Sequence, residues 1–156
     1  MIISHRGLLI GPDNQLQNRP DQIEKALALD FDVEIDVRYI DGKYFLGHDT
    51  PDFEVSWDWL SQANFWIHCK NLQAFFDMRE RTIVHNYFWH ETDALVITSR
   101  NKLWTFLGKP ETENSECICV MPEITYTWVE IEQLVKTRRW MGYCTDYPIQ
   151  LAKWIE

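Results

Sequence analysis

Apolar and polar residues alternate with a period of two through the first half of "DVEIDVRYIDGKYFLGHD", Asp32 to Asp49. Side chains along a strand point to opposite faces in turn. A strand over Val33–Arg38 therefore puts Val33, Ile35 and Val37 on one face, and Asp32, Glu34, Asp36 and Arg38 on the other. Asp41-Gly42 is a hairpin turn signal leading into a second strand, Tyr44–Leu46. Short apolar runs predict further strands over Ile2–Ser4, Phe65–Cys69, Ile83–Asn86, Leu95–Thr98, Leu103–Phe106, Cys117–Met121 and Met141–Cys144.

Helical spacing is rarer. "RPDQIEKALALD" has Pro20 in a first turn, with Ile23, Ala26 and Leu27 on one face. "NLQAFFDMRER" has Asn71 as N-cap, with Leu72, Phe75 and Phe76 facing inward. "TYTWVEIEQLVKTRRW" has a capping-box pair, Thr127 and Glu130, ahead of Ile131, Leu134 and Val135. Short helices are expected after Ser56 and after Pro148.

The early order of strand, helix, strand, strand, helix predicts an α/β fold with parallel pairing. Without the Tyr44–Leu46 extension there are eight candidate strands, the number in a (β/α)8 barrel of the triosephosphate isomerase type. Such barrels need roughly 200 residues or more. The expectation is therefore one domain over residues 1–156: a reduced barrel with several outer helices missing. Residues 83–121, with four strand-like runs and no helical pattern, suit that reduction. A flatter α/β sheet is the alternative.

Composition narrows the partners. The 156 residues are 46% hydrophobic and 14% aromatic, which suits a packed core. The net charge of −9 disfavours nucleic acid, which needs a basic surface. No apolar run reaches the about 18 residues of a membrane span. "MIISHRG" reads as a strand from the second residue rather than as a signal peptide. Cys69, Cys117, Cys119 and Cys144 lie in apolar runs without a CxxC pair, so a reduced, cytoplasmic protein is expected. The oligomeric state is not legible.

The chemistry returns to the charged face. Carboxylates two residues apart on one strand face stand roughly 7 Å apart along the strand and can converge on one hard cation. A solvated edge strand, charged against aggregation, is the competing reading. His5 ends the first strand and His48 the hairpin strand, while His68 lies in the next strand with Lys70 on the same face. Barrels place active sites at these C-terminal strand ends. "HNYFWHETD" sets His85, Asn86, Trp89 and His90 around another strand end; Tyr87 and Trp89 are stacking surfaces for a polyol, or core. His90-Glu91 lacks the second histidine of HExxH. Asp146 in "TDYP" reads as a turn residue.

"HRG", then Asn18 ahead of a helix, then "VEIDVRYIDGKYFLGHD" resemble the N-terminal signature of the glycerophosphodiester phosphodiesterases. Their barrel is shared with phosphatidylinositol-specific phospholipases C. "GYCTDYP" resembles the family's last barrel strand. The resemblance implies that His5 and His48 are the general acid and base. It makes Glu34 and Asp36 ligands of a divalent metal, magnesium or calcium, and Arg6 and Lys70 holders of the substrate phosphate. Asn18, Asp49, Trp89 and His90 are candidate pocket residues. The substrate implied is a glycerophosphodiester-like or other polyol phosphodiester, free or as a lipid head group. A degenerate phosphate- or polyol-binding domain is the alternative.

Two departures matter. The family's third-strand glutamate ligand is replaced by His68, which moves metal preference toward Mn²⁺, Fe²⁺ or Zn²⁺. Glu123, in "VMPE", is a second candidate for the missing carboxylate. Only 18 residues separate Asp49 from His68, so the family's insertion there is absent.

Overall fold

Where the apolar residues alternate, the chain forms strands; where they recur at three and four, it forms helices. The computed structural model describes residues 1–106, 116–137 and 139–155. Its strands are β1 (Ile2–His5), β2 (Asp32–Ile40), β3 (Lys43–Leu46), β4 (Phe53–Val55), β5 (Phe65–Cys69), β6 (Asn86–Phe88), β7 (Leu95–Ile97), β8 (Leu103–Phe106), β9 (Cys117–Val120) and β10 (Gly142–Thr145). Its helices are α1 (Pro20–Ala28), α2 (Trp57–Leu60), α3 (Leu72–Arg81), α4 (Pro122–Thr125), α5 (Trp128–Thr137) and α6 (Pro148–Ala152).

The expected caps form. Asn71 accepts from the Ala74 amide at 3.1 Å, and Ser56 accepts from the Trp59 amide at 3.1 Å. Thr127 and Glu130 exchange bonds in a capping box, with the Thr127 amide donating to Glu130 Oε2 at 2.8 Å and the Glu130 amide to Thr127 Oγ1 at 3.4 Å. Asp41 (φ 49°) and Gly42 (φ 80°) turn β2 into β3.

The reduced (β/α)8 barrel does not form. The strands make a curled, mixed sheet, a half-barrel of eight, in the order β7-β8-β9-β10-β1-β2-β5-β6, with β3 and β4 extending antiparallel from the far half of β2. The reason lies in one connection. Leu95–Ile97 and Leu103–Phe106 are joined by a short turn, and they pair antiparallel. A parallel pair would need a crossover of about a dozen residues. Among the described residues no ladder joins β6 to β7; Ser99 and Thr98 reach across instead, the Ser99 amide donating to the Tyr87 carbonyl at 2.9 Å and Thr98 Oγ1 to Asn86 Oδ1 at 2.7 Å. The strand expected at Ile83–Asn86 begins only at Asn86, because Ile83 is 90% exposed and His85 is tied to the Gln62 carbonyl. Two short elements, β4 and α4, lay outside the expected pattern.

Alternation separates the two faces of the curl. Outward residues pack under helices: Val33, Ile35, Val37, Phe65 and Ile67 beneath α1 and α3, and Cys117, Cys119 and Tyr143 beneath α5 and α6. Inward residues Ile3, Trp66, Phe88, Trp104, Ile118 and Cys144 fill the concave side as a separate apolar floor. All four cysteines are buried, and none of them forms a disulfide. No helix among the described residues is long and apolar enough to cross a membrane.

Candidate metal and phosphate site

Strand register assembles the site. On the concave side, one residue pair along from the apolar floor, the inward positions of β1, β2 and β5 turn polar. His5 stands opposite Glu34 in the β1–β2 ladder, and Asp36 opposite His68 in the β2–β5 ladder. Directly opposed residues have neighbouring side chains. One ligand atom each from Glu34, Asp36 and His68 lies within 4.8 Å of the others. Asp36 is fully buried and Glu34 is 2% exposed, so water does little to relieve the paired carboxylates.

The surrounding groups show which carboxylate is satisfied. Asn18 donates Nδ2 to Asp36 Oδ2 at 2.8 Å and accepts the Asp36 amide at 3.0 Å. Arg6 Nε stands 3.0 Å from the same oxygen, but its N–H is not aligned for a hydrogen bond, so the contact is an ion pair. Lys70 Nζ lies 3.9 Å from Asp36 Oδ1. Burial alone would raise the Asp36 pKa, but His68, Arg6 and Asn18 hold it well below the ordinary carboxylate range. Glu34 goes the other way: burial and the adjacent Asp36 charge push its carboxyl up.

These residues fit a divalent cation. Asp36 Oδ1 is buried without a well-aligned hydrogen bond, an acceptor with His68 Nδ1 and Lys70 Nζ as its cationic neighbours. His68 Nδ1 lies 3.1 Å from that oxygen and 3.9 Å from Glu34 Oε1. The other ring nitrogen of His68 sits 3.5 Å from the His90 carbonyl, the side on which a ligating imidazole usually donates. Stacking fixes the ring as well: His68 lies parallel to His90 at 4.6 Å and to Phe88 at 5.1 Å. Two carboxylates and an imidazole suit Mg²⁺ or Mn²⁺ chemistry better than a thiolate metal.

Two further histidines flank the carboxylates. His5 Nδ1 bonds to Asp146 Oδ1 at 2.7 Å, leaving Nε2 3.9 Å from Glu34 Oε2. Burial pulls the His5 pKa down, but the bond to Asp146 and the Glu34 charge outweigh it, and the net shift is upward. His48 Nδ1 bonds to Asp49 Oδ1 at 2.7 Å. Burial and the nearby Arg6 charge move its pKa below 6.5. Gly47 makes the bend that brings His48 in: its φ is 144°, and a Cβ there would sit 2.0 Å from the Thr50 carbonyl oxygen. Arg38 ties the bend down, donating to the His48 carbonyl at 2.6 Å and to the Lys70 carbonyl at 3.4 Å.

His5, Arg6, Glu34, His48, His68 and Lys70 line one cavity of about 580 Å³, with His90 on its wall. Burial and the His68 charge depress the His90 pKa to about 4, so His90 is neutral near pH 7. Asn18 does not line the cavity; it acts through Asp36. Trp89 and Asp49 do not line it either, and Tyr87 is outer core. Glu123 stands apart from the three grouped ligands: its Oε1 accepts from Thr145 Oγ1 at 2.8 Å and from the Asp146 amide at 2.9 Å. Its place is beneath the His5–Asp146 pair. Asp146, read from the sequence as a turn residue, is the partner of His5. Strand register could have signalled this, because β1 and β10 pair in parallel with Ser4 opposite Thr145, one residue before each partner.

Comparison with known proteins adds no identity: no family model, no curated protein and no solved structure matches the chain.

Proposed function

We propose that the chain is a metal-dependent phosphoric diester hydrolase, of the kind its glycerophosphodiester phosphodiesterase-like motifs imply. The observation that carries this is the pair of register contacts, His5 opposite Glu34 and Asp36 opposite His68, beside Arg6, Lys70 and His48 in one cavity. A phosphodiester repels nucleophiles, so its hydrolysis needs positive charge on the non-bridging oxygens. Arg6 and Lys70 supply part of it. A divalent cation held by Glu34, Asp36 and His68 supplies the rest when bound.

The proton shuttle follows from the opposite shifts of the two histidines. Between the lowered pKa of His48 and the raised pKa of His5, His48 is neutral and His5 holds a proton. His48 takes the proton of the attacking hydroxyl, from water or from a neighbouring group of the substrate. The new O–P bond forms, the bond to the leaving alcohol breaks, and His5 gives its proton to the departing alkoxide. Asp146 keeps the His5 ring oriented, with Glu123 holding the Asp146 backbone. Four buried cysteines without a disulfide suit a reducing compartment such as the cytoplasm.

The test is hydrolysis of bis(p-nitrophenyl) phosphate and of a glycerophosphodiester with Mg²⁺, Ca²⁺ and Mn²⁺. His5→Ala and His48→Ala are each expected to lose roughly 10²-fold or more in kcat, with unchanged circular dichroism. Full metal-dependent activity in both variants rules the assignment out. Metal binding without turnover in the native chain points instead to a phosphate-binding domain.

A further inference from the structure

The cavity has two chemically different sides, and the division runs strand by strand. On β1, β2 and β5 the inward positions past the apolar floor are His5, Asp36 and His68. On β8 and β9 the equivalent inward positions are Phe106 and Val120, which follow Trp104 and Ile118 of the floor. With Met121 and Ile124 from the start of α4, they make a carbon-rich wall facing the charged one. The rim of the wall is open to solvent, with Phe106 40% and Ile124 60% exposed, while Trp104 and Val120 are buried at its base. It is also preformed, because Trp104 packs on Trp66 at 5.6 Å and on Phe88 at 4.9 Å between ring centroids.

An apolar wall wetted at the edge of a charged site gains most when part of the ligand covers it. Against this wall a polyol gains little, since these side chains offer no strong acceptor; its hydroxyls would have to turn to Glu91, Thr92 and Asp93 elsewhere in the cavity lining. We infer that the substrate is an amphiphilic phosphodiester, one of whose alcohols is an alkyl or aryl group seated on Trp104, Phe106, Val120 and Ile124. This rests on the phosphodiesterase reading and narrows it from polyol diesters to diesters with one apolar alcohol. A small soluble ester and a single-chain lipid both carry such a group, and the chemistry recognised is the same.

Two measurements test it on the full chain with Mn²⁺. In the first, calorimetry compares inorganic phosphate with methyl, butyl, hexyl and octyl phosphate, which need no turnover. Full burial of a methylene is worth about fourfold in affinity, so affinity is expected to rise about two- to fourfold per added carbon until the wall is covered. In the second, hydrolysis of p-nitrophenyl alkyl phosphates in free solution is compared with hydrolysis of a single-chain lysophospholipid in detergent-free vesicles. A rise with chain length in solution identifies a soluble ester, and a preference for the vesicle-borne diester identifies a lipid; both support the inference. Phe106→Ser and Ile124→Asn are expected to flatten the chain-length dependence, and a thermal melt checks that each variant folds. Phosphate binding that is independent of chain length overturns the inference and leaves the phosphodiesterase reading standing. Failure of every phosphate ligand to bind overturns both.

Discussion

Replacing Glu34 with Gln should stabilise the metal-free protein and abolish its response to metal. Glu34 is 2% exposed, and its carboxylate shares a space 4.8 Å across with that of Asp36. At that separation two unit charges repel by about 3.5 kcal/mol at an effective dielectric of about 20. His5 and His68, each 3.9 Å from Glu34, return part of this. The raised Glu34 pKa shows that they do not return all of it once burial is included. A carboxyl with a raised folded pKa favours the fold below its ordinary value of 4.5 and loses that contribution as pH rises through the raised value. Near neutrality the ionised Glu34 therefore costs the fold free energy that a neutral amide of the same shape does not. We expect Glu34→Gln to gain about 1 kcal/mol without metal, or about 2–4 °C in Tm for a domain of this size. The gain should shrink as pH falls toward 4.5. Added divalent ion reverses the order: a cation at 100 times its Kd stabilises the native chain by about 2.7 kcal/mol, and the variant lacks a charged ligand to bind it. The assay is thermal unfolding at pH 7.5 with chelator or with Mn²⁺. A variant that melts below the native chain in chelator, or keeps the full metal-induced shift, refutes the reasoning.

Asp146→Asn removes the bond that raises the His5 pKa, so the alkaline limb of the kcat/KM profile should move to lower pH, with a rate loss of roughly 10²-fold from misorientation. A shift of the acid limb instead would exchange the roles of His5 and His48. Asn18→Ala deletes two hydrogen bonds to buried Asp36 and places alanine at a φ of 57°, so urea unfolding should report a loss of about 2–3 kcal/mol. Divalent-ion affinity should weaken as pH falls from 7 toward 5, because protonating Glu34, whose pKa is raised, removes a ligand; calorimetry that finds affinity independent of pH argues against Glu34 as a ligand.

The parts of the site built on one strand were legible, because alternation is a local property. Glu34 and Asp36 had to share a face, and Asp41-Gly42 had to turn the chain back toward His48. Asn71 and Thr127 likewise announced their helices by short-range spacing. What depends on distant pairing was not legible. Asp146 meets His5 only because β1 and β10 are neighbours, and its sequence neighbourhood reads as a turn. The barrel expectation failed where connection length outranked strand count: residues 98–102 leave no room for a crossover helix. Phe106 and Val120 stood only as positions in short apolar strands, since alternation gives a face but not what that face meets. Glu123 was placed near the site but in another role, supporting Asp146 rather than joining the ligands.

The two halves of the cavity differ in when a growing chain can make them. Glu34, Asp36 and His48 sit on one hairpin ribbon, whose β2–β3 ladder spans neighbouring residues and closes quickly. The His5–Asp146 contact joins residues 141 apart and requires the first strand to wait for the last. Contacts of that separation are the slow ones. A nascent or nicked chain lacking β10 would carry the acidic pair and the hairpin histidine, yet would leave His5 unoriented. The proposed acid–base chemistry would thereby be tied to completed assembly, and its onset during refolding should lag behind the appearance of strand signal.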